Sequence, residues 1–316
     1  MAMGGPSLHR GPGAARGQVA ARGGKVQVSG IEGVVVRGHS NIHQVAVDGG
    51  RVDCYLRGTL RRLGRVVVGD RVRISLLEGE RGVIEEVLER TSLLERPPVA
   101  NAQQAVLVFS LRDPVWNQLV LDRMLLAAER QELRALLCLN KVDLLEEDPA
   151  PALEPYRGAG YPVVVTSART GLGIKELANF LAGHMTVLAG ASGVGKSSIL
   201  NAVAGADLPT GEVGAIGRGR HTTRRVELIS LPGEGFAADT PGFSTLTLGD
   251  ATVEELGALY PDFRPYLERC RFRGCLHLKE PGCAVRQAVE EGLLDAGRYR
   301  RYGRILGEVQ RKRHRQ

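Results

Sequence analysis

The sequence contains few aromatic residues and no apolar run as long as a transmembrane helix. Phe, Trp and Tyr make up 4% of its 316 residues, so we expect cores built chiefly of Val, Leu, Ile and Ala. No stretch approaches the roughly 20 apolar residues that cross a bilayer. The first 30 residues also lack the apolar segment of a signal peptide. We therefore expect a cytoplasmic protein that does not enter a membrane.

Acidic residues are scarce at both ends of the chain. Residues 298–316 contain eight Lys or Arg and a single acid, Glu308, while residues 1–30 contain four basic residues and no acid. Such segments are typical of arms that stay disordered unless they pair with a polyanion. The net charge of +7 likewise favours nucleic acid over an acidic metabolite as partner.

A phosphate-binding loop is encoded by residues 190–197, Gly190-Ala191-Ser192-Gly193-Val194-Gly195-Lys196-Ser197. They fit G-x-x-x-x-G-K-[ST], in which glycines let backbone N–H groups surround phosphates. An apolar, strand-like run precedes the loop, and Ser198 follows it in the first turn of an amphipathic helix. We expect Lys196 to reach the β- and γ-phosphates and the Ser197 hydroxyl to bind Mg²⁺.

Residues 140–143, Asn140-Lys141-Val142-Asp143, match the N-x-x-D type of element that selects the base in GTPases. This element lies upstream of the phosphate-binding loop, whereas in an ordinary GTPase it lies downstream. It follows a second apolar run, so both elements are expected at one edge of a parallel sheet. The Asp143 carboxylate can accept from the N1–H and exocyclic amine of guanine, a donor pair that adenine lacks. Ser167 and Ala168, after the predicted strand 163–165, stand where a further base-contacting loop belongs. The predicted nucleotide is therefore GTP.

The other parts of a GTP site follow the loop. Asp239, in the run Asp-Thr-Pro-Gly, is expected to hold Mg²⁺ through water, and the N–H of Gly242 could meet the γ-phosphate. A hydroxyl of Thr222 or Thr223 would join the metal ligands in the GTP state. The surrounding residues 211–225 are rich in Gly and Arg, and we expect the γ-phosphate and metal to order them.

Phe243 follows Gly242 at a position where many GTPases carry a water-orienting glutamine. An apolar ring cannot orient water, so hydrolysis must recruit another group. His221, beside the threonine pair, is the nearest candidate by sequence. It could equally be a solvated loop residue or a residue that touches RNA.

The chain resembles the circularly permuted small-ribosomal-subunit biogenesis GTPases of bacteria. The resemblance rests on the permuted order, the Gly-x-Ser-Gly-Val-Gly-Lys-Ser-Ser loop, Arg-His-Thr-Thr at 220–223 and Asp-Thr-Pro-Gly-Phe at 239–243. Residues 57–61 and 68–72 are similar to that family's N-terminal OB domain. The resemblance implies a monomeric late assembly factor with slow GTPase activity that the small ribosomal subunit stimulates. It also implies rRNA binding and release of the factor after hydrolysis.

The residues before the GTPase motifs predict a small β-barrel or sandwich. From residue 26 to about 94, short β-branched runs alternate with Gly and Asp turns at a spacing near ten; they include residues 33–36, 44–47, 66–68 and 71–74. Four arginines on one segment make it a candidate nucleic-acid surface, although charge runs are more often solvated faces: Arg57, Arg61, Arg62 and Arg65.

Four possible metal ligands fall within fourteen residues, namely Cys270, Cys275, His277 and Cys283. Three thiolates and an imidazole at this spacing suit one structural, tetrahedral zinc ion per chain, and four protein ligands leave no open position for catalysis. The same spacing occurs in the family that the chain resembles. Helix-like stretches flank the cluster, at residues 252–260, 284–291 and from 295 onward.

These features predict a multidomain α/β protein. Its parts are a disordered basic arm (1–25), an OB-type barrel (26–95), a circularly permuted P-loop GTPase domain (96–248) and a helical zinc module with a basic tail (249–316). One alternative function is a zinc-dependent RNA-binding module that holds GTP as a structural cofactor without turnover, which Phe243 leaves open. Another is an ATP-dependent P-loop kinase or helicase, against which Asp143 argues.

Overall fold

The computed structural model describes residues 19–20, 27–39, 41–58, 65–77, 81–95, 97–205, 226–239, 248 and 250–313. The chain divides into two compact units, Met1–Val66 with Asp70–Glu89, and Val67–Gly69 with Arg90–Gln316. In the described residues, no helix has both the length and the apolar character needed to span a membrane.

The first unit contains a closed five-stranded barrel. Its strands are β2 (Gln27–His39), β3 (Ile42–Val47), β4 (Gly50–Leu56), β5 (Arg71–Leu77) and β6 (Arg81–Val87), and a two-residue β1 (Val19–Ala20) pairs with the start of β2. The strand order is β2-β3-β4-β6-β5, and β5 pairs back to β2. Only the β4–β6 pair is parallel among these five strands. This is the order of an OB-type barrel.

β-Branched side chains fill the barrel because alternate residues of each strand point inward. Its fully buried core residues are Val35, Val45, Val72, Ile74 and Ile84, together with Cys54. Gly33 lets β2 approach β3, since a Cβ there would lie 2.5 Å from the Ala46 carbonyl oxygen. The expectation of a strand at residues 66–68 is wrong: these valines are buried but form only one bridge, from Val68 to Val99.

A six-stranded sheet with flanking helices forms most of the second unit. After a hairpin of β7 (Leu93–Glu95) and β8 (Pro98–Ala100) come β9 (Gln104–Phe109), α1 (Gln118–Arg130), β10 (Arg134–Leu139), a 3-10 turn (Val142–Leu144), α2 (Ala150–Gly158) and β11 (Val163–Val165). Then follow α3 (Ile174–Leu181), β12 (Met185–Ala189), α4 (Lys196–Ala204), β13 (Glu227–Leu231) and β14 (Gly235–Asp239).

The strand order β11-β10-β9-β12-β14-β13 is parallel except for the edge strand β13. Every residue of β9 and β12 is buried, as expected for central strands covered on both faces. The carboxyl ends of β10, β11, β12 and β14 therefore lie along one edge of the sheet, where ligands bind in open α/β folds.

The last part of the second unit is helical. Its helices are α5 (Val253–Leu256), α6 (Arg264–Leu267), α7 (Ala284–Glu290) and α8 (Ala296–Arg313). Thr252 caps the start of α5 in a reciprocal box with Glu255. The helix ends at Leu256 and is therefore shorter than the predicted stretch 252–260. Tyr260, Phe263 and Tyr302 form the centre of the core, which also includes Leu126 from α1.

The expectation of a disordered arm from residue 298 is wrong as far as residue 313. This segment forms α8, in which Arg298, Tyr302, Ile305 and Leu306 are buried. Net charge misled the prediction, because carboxylates elsewhere in the sequence neutralise the first of these arginines. In the predicted N-terminal arm 1–25, only Val19–Ala20 belong to the described residues.

Candidate nucleotide and metal sites

The phosphate-binding loop connects β12 to α4 through three glycines at left-handed φ angles. Gly190, Gly193 and Gly195 have φ of 151°, 84° and 95°, which other residues adopt only with strain. A Cβ on Gly190 would lie 2.2 Å from the Val108 carbonyl oxygen. The exposed residues of the loop are Ala191, Ser192 and Gly193. The loop thus presents its backbone at the N-terminus of α4, a favourable place for anions.

Lys196, the first residue of α4, folds back over the loop. Its Nζ donates to the carbonyl oxygens of Gly190 and Ala191, both at 2.8 Å. The ammonium group is therefore positioned at the exposed side of the loop, where it could contact phosphate oxygens. Ser197 is half-buried and Ser198 exposed in the same helical turn.

Asn140, at the carboxyl end of β10, connects three segments of the site. Its Nδ2 donates to the Val194 carbonyl in the phosphate loop at 2.9 Å. Its Oδ1 accepts from the Ala168 N–H at 3.1 Å and from the Thr166 hydroxyl at 3.3 Å. The side chain is 2% exposed, so these bonds form away from water, where an unpaired amide would be costly. One buried amide thus holds the phosphate loop against the predicted base-contacting loops.

Gly195 is fitted to this contact. A Cβ at residue 195 would lie 2.4 Å from Asn140 Nδ2, closer than any real carbon–nitrogen contact. Glycine is therefore required here for two reasons, its φ of 95° and the space that the amide occupies.

Asp143 lies in the 3-10 turn after β10 and has partners on both carboxylate oxygens. The Ser167 hydroxyl donates to Oδ1 at 2.5 Å, and Arg169 donates to Oδ2 from Nε at 2.8 Å. The Ser167 hydrogen bond, followed by Arg169, holds the pKa of the Asp143 carboxyl below its usual range. Because each oxygen carries two lone pairs, the ionised carboxylate can still accept hydrogen bonds from a guanine edge.

Lys141 has a left-handed φ of 64° and extends toward the loop that follows β9. Its Nζ donates to the Asp113 carbonyl oxygen at 2.7 Å and lies 3.4 Å from the Asp113 carboxylate. Val142 is half-buried in the turn, where its N–H donates to the Thr166 carbonyl oxygen at 3.3 Å. The roles of Asp113 and Arg169 were missed by sequence reasoning, because only the fold brings Asp113 to the base-selecting element.

The residues predicted to bind metal and γ-phosphate are described only in part. His221, Thr222, Thr223, Gly242 and Phe243 lie outside the described residues, as do Arg61 and Arg62 of the candidate nucleic-acid surface. Asp239 is the last residue of β14, the strand that pairs in parallel with β12. Its backbone therefore lies beside the strand that leads into the phosphate loop.

The four predicted zinc ligands converge in the helical module. Their ligand atoms all lie within 4.8 Å of one another. Cys270 Sγ is 4.0 Å from Cys283 Sγ and 3.5 Å from His277 Nδ1, and Cys283 Sγ is 3.4 Å from the same nitrogen. In a tetrahedral zinc site with bonds of about 2.3 Å to sulfur and 2.0 Å to nitrogen, two sulfurs would lie about 3.8 Å apart and a sulfur and a nitrogen about 3.5 Å apart. The donor set and spacing thus fit a structural zinc ion.

Aromatic residues and one carboxylate support the backbone around the cluster. Tyr302 and Tyr299 donate their hydroxyls to the carbonyl oxygens of Leu276 and His277, both at 2.7 Å. Glu280 accepts three backbone N–H bonds of 2.9–3.0 Å from Leu276, Leu278 and Lys279. Although burial acts to raise it, these bonds lower the pKa of Glu280. Sequence reasoning missed Glu280. Its position between the predicted ligands His277 and Cys283 is the signal that could have identified it.

His277 is oriented by close packing as well as by its backbone. Burial lowers the pKa of its imidazole, which favours the neutral form that binds metal. A Cβ on Gly257 would lie 3.0 Å from His277 Nε2, so a glycine at the end of α5 leaves room for the ring. With Nε2 toward α5, Nδ1 is the nitrogen that faces the thiols.

A phosphate loop after β12 and a base-selecting element after β10, in this reversed chain order, define a circularly permuted P-loop GTPase. The family models agree, because the RsgA GTPase model matches residues 87–249 and the RsgA N-terminal domain model matches residues 32–84. This chain belongs to the RsgA GTPase family.

Individual relatives are similar over nearly the whole chain. The small ribosomal subunit biogenesis GTPase RsgA of Moorella thermoacetica is 46% identical over 282 residues, covering 88% of this chain and 97% of the relative. Its namesake from Geobacillus sp. is 42% identical over 291 residues, covering 90% and 99%.

Two solved structures have the same architecture. The circularly permuted GTPase YloQ is 36% identical with a TM-score of 0.75, covering 90% of this chain and 96% of that one. YjeQ from Thermotoga maritima is 38% identical with a TM-score of 0.76, covering 89% and 98%.

Proposed function

We propose that this chain is a cytoplasmic GTP hydrolase that acts late in assembly of the small ribosomal subunit, binds its rRNA and leaves after hydrolysis. The observation that carries the GTPase part is the Asn140 amide, which joins the phosphate loop to the base-contacting loops. The subunit part is supported by the relatives, which are named small ribosomal subunit biogenesis GTPases. The positive net charge of the chain also suits an RNA partner.

In the proposed site, guanine lies between the turn at Asp143 and the loop at Ser167 and Ala168. The phosphates lie on the backbone of residues 190–195, with the Lys196 ammonium on the β- and γ-phosphates. Mg²⁺, bound with GTP, would neutralise phosphate charge and is assigned to Ser197, to Asp239 through water and to Thr222 or Thr223. Gly242 is assigned to the γ-phosphate, and the turnover step needs a group other than Phe243 to orient water.

We propose the domain boundaries predicted from the sequence, with barrel, GTPase domain and zinc module at residues 26–95, 96–248 and 249–316. In this permuted order, both segments assigned to the metal and the γ-phosphate, at Thr222-Thr223 and at Gly242, lie between the phosphate loop and the zinc module. A change at Thr222-Thr223 or Gly242 after hydrolysis would therefore pull on the module that docks on the subunit. The protein is proposed to act as a monomer with one structural zinc ion.

Multiple-turnover phosphate release tests the proposal, measured alone and with purified small or large ribosomal subunits. We expect slow release alone and strong stimulation by small subunits only. Cosedimentation with small subunits should be strong with a non-hydrolysable GTP analogue and weak with GDP. Lys196→Ala is the inactive control, since it removes the phosphate-binding ammonium. GTP binding without turnover under all conditions would instead support the RNA-binding module with structural GTP, which the relatives' names do not favour.

A further inference from the structure

The loop between the first two predicted zinc ligands, residues 271–274, exposes an aromatic ring. All four of its residues are exposed, and Phe272 is 45% accessible. It is the only aromatic among the exposed large apolar residues in the described part of the chain. We call residues 271–274 the knuckle loop. A single exposed apolar side chain is ordinary on a protein surface, so the significance of this ring depends on the shape of its loop and on the charges beside it.

The knuckle loop is held in a defined shape from several sides. Cys270 and Cys275 bracket it, so both of its ends are tied to the ligand cluster. The Arg271 N–H donates to the Gly282 carbonyl oxygen at 3.0 Å, and a Cβ on Gly282 would lie 3.0 Å from Arg271 Cβ. A preformed loop loses little conformational entropy when it binds, which makes Phe272 a suitable contact.

The two residues that flank Phe272 in the chain, Arg271 and Arg273, are both positively charged. The Arg271 guanidinium carbon lies 5.5 Å from the Phe272 ring centroid, and that of Arg269 lies 5.7 Å from the Tyr266 centroid. Arg273, the next residue in the chain, is also exposed. In the described residues, these three arginines form no salt bridge. The knuckle loop therefore combines an exposed aromatic ring with two flanking arginines that are available for an anionic partner.

This combination fits single-stranded RNA better than a protein or a duplex. An aromatic ring stacks on an unpaired base, while arginines bind the adjoining phosphates or stack on bases themselves. An apolar protein pocket would strip water from the arginines without neutralising them. The base faces of an A-form duplex are already stacked and out of reach.

We propose that Phe272 stacks on an unpaired base of an RNA strand whose phosphates lie against Arg271 and Arg273. The proposal rests on the RNA partner of the proposed function and adds the contacting element. It assigns the knuckle loop a role in recognising unpaired nucleotides that is separate from its role in closing the metal site.

A fluorescent ring at residue 272 tests stacking directly. The variant Phe272→Trp is made with Trp116→Phe, so that the indole at the loop tip is the only one in the chain. Adding a short single-stranded oligoadenylate RNA should quench this emission, and a blunt RNA duplex should not. The matched control is Leu293→Trp in the same background, because Leu293 is 62% exposed in the same module but outside the knuckle loop. Equal behaviour of the two indoles would overturn the proposal.

Affinity measurements separate the inference from the proposed function. Phe272→Ala should weaken single-stranded RNA binding about tenfold, a typical loss for one stacked base, whereas Phe272→Tyr should not. Zinc content and GTP affinity should stay unchanged in both variants. If wild type binds the RNA and Phe272→Ala binds it equally, only the knuckle-loop inference fails. If wild type binds neither RNA nor small subunits, the proposed function fails. Weakened subunit binding with unchanged RNA binding would identify a protein contact and overturn the inference.

Discussion

Arg298 in α8 lies 3.4 Å from the carboxylate of Asp122 in α1, and both side chains are buried, at 1% and 0% exposure. Asp262 binds the same guanidinium through two hydrogen bonds of 3.1 and 3.2 Å. Although burial acts to lower it, the two carboxylates raise the pKa of Arg298. This ion pair joins the helical zinc module to the first helix of the GTPase domain.

The guanidinium of Arg298 is also enclosed by aromatic rings. Its central carbon lies 5.3, 5.7 and 5.2 Å from the ring centroids of Tyr156, Tyr161 and Tyr260. Arg301 adds a second cation beside Asp122. Three of the seven tyrosines in the chain thus surround one charge, which places the few available aromatics at the junction of domain and module.

Arg298→Met should destabilise the second unit by about 3–5 kcal/mol, because it removes the buried cation from Asp262 and leaves Asp122 with Arg301 alone. Chemical denaturation followed by circular dichroism measures the change. The matched control is Arg112→Met, which breaks an exposed pair with Glu146 and should cost at most about 1 kcal/mol. Similar losses in the two variants would show that Arg298 does not stabilise the junction.

Asp143→Asn should exchange a preference for GTP for a preference for XTP, because an amide offers a donor where xanthine has a carbonyl. The ratio of the two affinities should change by about two orders of magnitude or more. Competition binding with a fluorescent nucleotide measures that ratio. Arg169→Ala is the control, since it removes a neighbour of the carboxylate but leaves the acceptor. An Asp143→Asn variant that still prefers GTP would show that this turn does not select the base.

Gly195→Ala should weaken GTP binding both by strain at a positive φ and by collision with Asn140 Nδ2. Asn140→Ala removes the collision partner, so the double variant should lose less than the sum of the single losses, by about 1 kcal/mol or more. Gly205→Ala is the control at the other end of α4, where φ is also positive but no atom lies within 4 Å of the added carbon. Strictly additive losses would show that the amide and the loop are not coupled.

The reversed order of the two GTPase elements and the presence of the metal cluster could be predicted from the sequence, because each depends on a short local motif. Residues 140–143, 190–198 and 270–283 carry their chemistry within a few consecutive positions. The Arg298–Asp122 pair and the Asn140–Val194 bond could not be predicted, because 176 and 54 residues separate the partners. The burial of α8 was hidden for the same reason, since its charge suggested an exposed arm.

Glu280→Gln should weaken zinc retention while preserving the four ligands. The carboxylate accepts three backbone N–H bonds between ligands His277 and Cys283, and an amide presents only one acceptor oxygen. Competition with a chromogenic chelator should show roughly 10-fold weaker binding, by analogy with other supports around metal ligands. Glu268→Gln, an exposed acid in the same module, is the control and should retain the metal normally.

Removal of zinc should unfold the helical module and leave the nucleotide site able to bind GTP, because metal binding there contributes folding energy. Cys275→Ser should lower the zinc content from about one per chain and weaken small-subunit binding more than GTP binding. Metal analysis, cosedimentation and nucleotide titration on the same preparation test this. A zinc-free protein with normal subunit affinity would exclude the cluster from docking.

His221→Ala should reduce subunit-stimulated GTP turnover by about 10²-fold or more if the imidazole orients or deprotonates the attacking water. GTP affinity should hardly change, because the group acts only on the water in the transition state. His314→Ala, near the end of the chain, serves as the control for loss of a histidine.

Because Phe243 cannot orient the attacking water, GTP turnover without subunits should be slow in both wild type and His221→Ala. The decisive comparison is the stimulated rate at saturating small subunit, measured together with subunit affinity. If His221 instead contacts RNA, its replacement by alanine would weaken subunit affinity and leave the rate at saturating subunit intact. Full stimulated turnover in His221→Ala would show that the RNA or a backbone group orients the attacking water instead.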